Sequence, residues 1–158
     1  MALKSGIIAG IIALLLAFIA EIPIYPPNNW FLSFKIFSFE KTDFYFWGYL
    51  MNGEIAFTST LGFLPESLVS VSIWLIIFLI GLNSIMASTT KANFNSSLKL
   101  FKINILLSIL ILTVYSVIIY FLVITDVNSI FTVIGFGYYF IVLVLILNIF
   151  ALKYLKNG

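Results

Sequence analysis

Four stretches of the chain are almost wholly apolar, and the polar residues fall between them. The first runs from about residue 5 to 22 and reads SGIIAGIIALLLAFIAEI. The others cover about 68–87, 100–124 and 130–152. A helix needs roughly 20 apolar residues to cross a hydrocarbon core of about 30 Å. The pattern therefore predicts an all-α membrane protein, a single domain over 1–158 built as a four-helix bundle, with a short first span and tilt in the longer ones. The first run also resembles a signal peptide, with Lys4 ahead of an apolar core. Cleavage after Ala20 would, however, put Phe18 where a small residue is required, so the run is read as a span.

Charge orients these spans. Lys4 precedes the first, Lys91, Lys99 and Lys102 lie between the second and third, and Lys153 and Lys156 follow the fourth. No acid accompanies them. Glu21, Glu40, Asp43, Glu54, Glu66 and Asp126 all fall on the other side, with only Lys35 and Lys41. An excess of lysine marks the cytoplasmic face. The expectation is a multi-pass cell-membrane protein with both termini cytoplasmic, a long outer loop over about 23–67 and a short outer turn at 125–129. Asn95-Ser96-Ser97 matches a glycosylation sequon but falls on the inner side, and is read as a chance match. The surrounding KANFNSSLK is read as a polar inner loop, with a short amphipathic stretch as an option.

The outer loop is too aromatic for a disordered linker. Pro23, Pro26 and Pro27 make a rigid exit from the first span. NWFLSFKIFSF then reads as one strand, Glu40–Asp43 as a turn and DFYFWGYLM as a second strand. Asn52-Gly53 is a strong hairpin signal, because a type I′ turn needs positive φ at both central residues. Residues 54–58 return as a third strand, giving a small antiparallel meander on the outer surface. Its aromatic residues suit an interfacial belt, since Trp and Tyr settle at head-group level. They also suit a partner surface, and a sheet edge can pair with a neighbouring copy.

Composition removes much chemistry. Hydrophobic residues make up 63% of the 158 and charged residues 9%, against roughly 25% charged in a soluble domain. There is no His and no Cys, which excludes His- or Cys-ligated metals, thiol nucleophiles and disulfides. All eight basic residues are Lys, so bidentate arginine clamps and nucleic-acid surfaces are not expected. The outer carboxylates lack the ligand spacing of a calcium loop. No catalytic, cofactor or metal residue is assigned, and the expected partners are the lipid bilayer and either further copies or other membrane proteins.

No ionisable residue lies deep within a span, which argues against an ion-coupled transporter. The mild polar residues Asn83, Ser84, Asn104, Ser108, Thr113, Ser116 and Asn148 are read as hydrogen-bonding glue between helices. Gly6 and Gly10, with Ala9, Ala13 and Ala17, form a ladder of small residues for close helix packing inside the bundle. Gly135 and Gly137 allow a similar close contact or a bend.

The order of span, folded loop, span, short inner loop, span, short turn and span resembles the claudin and peripheral myelin protein superfamily. That family's first outer loop is a small sheet carrying a Trp, a G-L-W motif and two cysteines. Trp30 stands a similar interval before Gly48-Tyr49-Leu50, and Trp47 to Asn52 is similar to the motif. Leu64-Pro65 is similar to the family's Leu-Pro lead-in to its second helix. Leu50 stands where the motif has Trp, Gly53 stands near the first expected Cys, and no disulfide is available. The resemblance implies a structural role, with Trp30, Trp47, Gly48, Tyr49, Leu50, Asn52 and Gly53 folding the loop or meeting a partner. The expected function is non-enzymatic, in membrane assembly, self-association or cell–cell contact. The alternatives are an accessory subunit of a larger respiratory or oxygenase-type complex and, last, a small channel along Asn83, Asn104 and Asn148.

Overall fold

The computed structural model describes residues 3–25, 30–39, 42–51, 54–57, 65–89, 93–126 and 133–157. The described chain is mostly helical, with small antiparallel sheets. Its helices are α1 (Lys4–Phe18), α2 (Pro65–Ser88), α3 (Phe94–Asp126) and α4 (Phe136–Asn157). Between α1 and α2 lie β1 (Glu21–Tyr25), β2 (Trp30–Ser33), β3 (Phe37–Phe39), β4 (Thr42–Phe44), β5 (Gly48–Met51) and β6 (Glu54–Phe57).

The helix ends follow local chemistry. α1 stops after 15 residues, earlier than the apolar run to Ile22. Ile19 turns extended there, and the chain enters β1 two residues on. The Trp74 indole N–H donates to the Ala17 carbonyl at 3.0 Å, satisfying one of the acceptors that a helix end leaves open. α2 opens on Pro65, where the absent N–H costs nothing. α3 begins at Phe94 and not near Leu100, taking in most of the expected inner loop. Asn93 caps it, its side-chain oxygen accepting from the Asn95 N–H at 3.2 Å.

Neighbouring helices run antiparallel. Phe18 meets Trp74 and Phe78 edge-on at one end of α1 and α2, and Gly6 lies against Ser88 at the other. Asn83 reaches Asn104 between α2 and α3, Ser116 reaches Tyr138 between α3 and α4, and α4 closes back onto α1. The core runs through all four helices and continues into the sheet region, from Ala9, Ala13, Ile80 and Val144 to Phe34, Ile36, Phe37 and Phe46. At the lysine end a second cluster of Ala87, Phe101 and Ala151 plugs the bundle.

The outward helix faces are apolar too. Ile8, Leu79, Met86, Leu106, Ile109 and Phe150 are among the large exposed hydrophobic residues. A chain apolar on both inner and outer faces has lipid as its solvent. Three helices are long and apolar enough to cross a membrane, over Val71–Ser88, Phe94–Phe121 and Phe136–Asn157, while α1 is shorter.

The expected three-stranded meander is corrected to six short strands among the described residues, in two sheets. The first sheet is the β1–β2 hairpin, in which Glu21 faces Ser33 and Ile22 faces Leu32. Its register shifts between Pro23 and Tyr25, so the proline stretch read as a rigid exit is partly a strand. The second sheet is β3-β4-β5-β6 in that order. NWFLSFKIFSF is broken at Phe34–Ile36, where the main chain leaves the strand to bond with the start of α4. DFYFWGYLM is broken at Tyr45–Trp47, a turn closed by the Tyr45 N–H on the Gly48 carbonyl at 2.8 Å. Both breaks carry buried aromatic or aliphatic side chains toward the core. The strand after Asn52-Gly53 is β6, paired with β5 from Met51↔Glu54 to Gly48↔Phe57; Asn52 and Gly53 themselves lie outside the described residues.

Candidate functional site

Two features carry the candidate chemistry: a sheet clamped to the helices, and a polar seam between them.

The clamp is made of main chain. The Gly135 N–H donates to the Ile36 carbonyl at 2.9 Å, and the Gly137 N–H to the Lys35 carbonyl at 2.7 Å. Phe37 and Ile134 form an antiparallel bridge. A Cβ at Gly135 would strike the Lys35 carbonyl, and one at Gly137 the Phe34 carbonyl. These glycines, expected to serve a helix contact or a bend, hold the segment leading into β3 against the start of α4 instead. The Phe34 N–H donates to the Ala20 carbonyl at 2.8 Å, tying the same segment to the exit of α1.

From the clamp an aromatic row runs outward along one sheet face. Phe37 sits beside Tyr115 of α3, with ring centroids 6.1 Å apart. Phe44 stacks on Phe37 at 4.5 Å, and Tyr49 follows at 6.0 Å from Phe44. Burial falls along the row until Tyr49 is 41% exposed. Phe46 packs edge-on against the same Tyr115 at 5.6 Å. Trp47 is buried and stacks on Tyr45 at 5.0 Å, inside the loop and away from its surface. The opposite face is mixed, with Ser38 and Asp43 in register with Leu50. Ser38 donates to Asp43 at 2.6 Å, and Lys35 pairs with Asp43 at 3.2 Å. Ser33 and Tyr45 share a hydroxyl contact of 3.3 Å, and burial pushes the Tyr45 phenol above its usual pKa against the pull of that bond.

The remaining loop candidates divide. Gly48, Tyr49 and Leu50 open β5, and Trp30 opens β2 with its main chain opposite Tyr25. Trp30 is thus in the β1–β2 hairpin, whereas Trp47 is in the turn between β4 and β5. β6 pairs with β5 on one side, and no strand is described on its other side.

Within the helices, Ser84, Asn104 and Asn148 are fully buried and converge. Ser84 donates to the Asn148 carboxamide oxygen at 2.8 Å, and the Asn104 amide donates to Ser84 at 2.9 Å. Asn104 also reaches the Ile80 carbonyl at 3.3 Å, and Asn83 donates to Asn104 at 3.4 Å. These amides and hydroxyls are engaged with one another, which is how polar groups in lipid are satisfied. Ser108 is buried, and its hydroxyl has no partner among the described residues. Thr113 and Ser116 face outward, into a groove between α3 and α4 of about 490 Å³ lined by Ile109, Leu112, Val117, Tyr120 and Leu145.

The small-residue ladder faces inward. Gly6, Ala9, Gly10, Ala13 and Ala17 are all buried. Gly10 lies against the Gly81 carbonyl and Ile85 of α2, and Gly6 against Ser88 and Phe101. Among the described residues no three acidic side chains converge as a cation site would require.

Sequence reading missed the clamp and the part played by Tyr115. The available signal was Gly-Phe-Gly at the start of the fourth apolar run, read for helices and not for strands.

Comparison of the chain with protein-family models, with curated proteins and with solved structures returns no match in any of the three.

Proposed function

We propose that the protein is a non-enzymatic four-span membrane protein, claudin-like in layout, that self-associates through its outer sheet. In this reading α1 to α4 all cross the membrane, both termini are cytoplasmic, and residues 23–67 lie outside. The belt of exposed apolar side chains supports the membrane setting, and the lysines at the end opposite the sheets support the orientation.

The observation that carries self-association is the clamp combined with the position of β6 at the end of its sheet, with no further strand beside it among the described residues. A sheet fixed to its bundle by main-chain bonds holds its far edge in a constant direction. Natural edge strands are commonly blunted with lysine or proline. β6 reads EIAF, with one charge at Glu54 and neither blocker. Antiparallel pairing of β6 with β6 of a second copy is self-complementary, as a two-fold interface must be.

The test exploits the absence of native cysteine. Glu54→Cys combined with Phe57→Cys should give a disulfide-linked dimer in native membranes, because two-fold pairing of this four-residue strand sets position 54 of one copy opposite position 57 of the other. Ile55→Lys in the same chain should suppress it by charging the edge. A chain carrying Glu54→Cys and Phe57→Cys that stays monomeric under oxidation contradicts the reading.

One observation favours the accessory-subunit reading. The groove between α3 and α4 is open and lined by Ile109, Leu112, Val117 and Leu145, an apolar seat of the kind a helix of another subunit packs into. The Thr113 and Ser116 hydroxyls in it are engaged within this chain by the Ile109 and Leu112 carbonyls and by Tyr138. Purification from native membranes in mild detergent separates the two. Foreign subunits at fixed ratio favour the accessory role, and an assembly of this chain alone favours self-association.

A further inference from the structure

We propose that the lysine end of the α3–α4 pair binds the phosphate of an anionic phospholipid, with an acyl chain lying along the adjoining helix faces. The inference rests on reading these helices as membrane spans.

The depth of the lysines follows from the polar seam. Asn104 and Asn148 approach to 3.5 Å, which fixes the relative height of α3 and α4. Lys99 lies five residues before Asn104, and Lys153 five residues after Asn148. Because the two helices are antiparallel, both lysines stand about 7.5 Å beyond the seam, at one level. Lys102 lies slightly deeper and Lys156 slightly further out, and all four are exposed. Counting 100° per residue from the inward-facing asparagines, Lys99, Lys102 and Lys153 project away from the bundle axis.

No Asp or Glu side chain neighbours these lysines in the sequence. Residues 67–125 and 127–158 contain no Asp or Glu. The ion pair among the described residues, Lys35–Asp43, is at the opposite end. On the membrane side of the lysines the surface is apolar, with Leu106 68% exposed and Phe150 48% exposed. Tyr154, also 68% exposed, stands among the lysines at head-group level. A basic rim above an apolar wall matches one molecule that is anionic at one end and hydrocarbon at the other. A zwitterionic lipid brings its own cation to the rim and is disfavoured there.

The test uses the full chain in mild detergent with equimolar phosphatidylglycerol and phosphatidylcholine of identical acyl chains, read by native mass spectrometry. Phosphatidylglycerol should be retained preferentially. Each lysine near a lipid surface contributes about fivefold, so Lys99→Gln with Lys153→Gln should lower the preference roughly 25-fold. The matching double arginine variant should keep it, which guards against simple misfolding, and Lys41→Gln should leave it unchanged. Equal retention of the two lipids, or an unchanged preference in the double glutamine variant, overturns the proposal. Displacement by excess inorganic phosphate would identify a free-anion site and also overturn it. Alkaline carbonate extraction is run in parallel. Release of the protein from the bilayer there refutes the spanning reading, whereas lost selectivity in a retained protein refutes only the lipid site.

Discussion

Asn104 makes bonds to Ser84, Ile80 and Asn83 from a position with no exposed surface. Replacing it by leucine removes those bonds and leaves Ser84 and Asn83 short of a partner. Interhelical hydrogen bonds in membranes average only about 0.6 kcal/mol each, and stranded partners add to that. Asn104→Leu should therefore cost about 1–2 kcal/mol in a reversible unfolding titration in micelles. Ser108→Ala, one turn further along α3, removes a hydroxyl without a partner among the described residues. It should stay within about 0.5 kcal/mol of the parent. Equal losses for the two variants would show that the seam is not the source of stability. Tyr45 gives a pH prediction. Its phenol is raised by burial, and further by Asp43 and Glu21. The unfolded chain ionises at about pH 10 and the folded chain only above that. The stabilisation is thus complete below about pH 10 and is lost as pH climbs through the folded value. Thermal unfolding across that window should show a smaller alkaline decline for Tyr45→Phe than for the parent.

The clamp is the decisive feature among the elements. Gly137 faces the Phe34 carbonyl so closely that a methyl group displaces main chain and not a flexible side-chain end. Gly137→Ala should free the sheet while leaving the helices intact. Limited proteolysis should then cut within residues 23–67 at least tenfold faster, with far-ultraviolet helicity unchanged. Unchanged cleavage would mean the sheet is held elsewhere. The clamp also explains which elements were legible. Apolar runs long enough for lipid identify α2, α3 and α4, because the requirement for about 20 apolar residues is unambiguous. The polar Asn95-Ser96-Ser97 hid the first turns of α3, since a cap at Asn93 and tolerance at a helix start override composition. The strands were divided wrongly because residues 30–39 and 43–51 are apolar on both faces. No period-two alternation marks where Phe34–Ile36 and Tyr45–Trp47 leave the sheet for the core. Trp47, expected to fold the loop or meet a partner, lies in the second of these segments, buried against Tyr45.

The whole molecule is uneven in height. α1 has 15 residues and a length of about 22 Å, while α3 has 33 residues and a length of about 50 Å. On the four-span reading the α1 side is shorter than the roughly 30 Å hydrocarbon layer. Thinning of the bilayer or snorkelling of Lys4 accommodates the difference. The β1–β2 hairpin extends the α1 column outward, with Ile22 and Leu32 packed on the shared core. Function was less legible than fold, because the chain carries few residues whose chemistry names a task, and its shape-bearing contacts are main chain. The most direct test of the central claim is the side of the membrane reached by each segment. Single cysteines at Ala2, Tyr49, Ser96 and Asn157 in the cysteine-free chain are treated with a membrane-impermeant maleimide before and after permeabilisation. Labelling of Tyr49→Cys from outside, with the other three labelled only after permeabilisation, is the predicted result. Labelling of Ala2→Cys from the same side as Tyr49→Cys would show that α1 does not cross, and would contradict the four-span account.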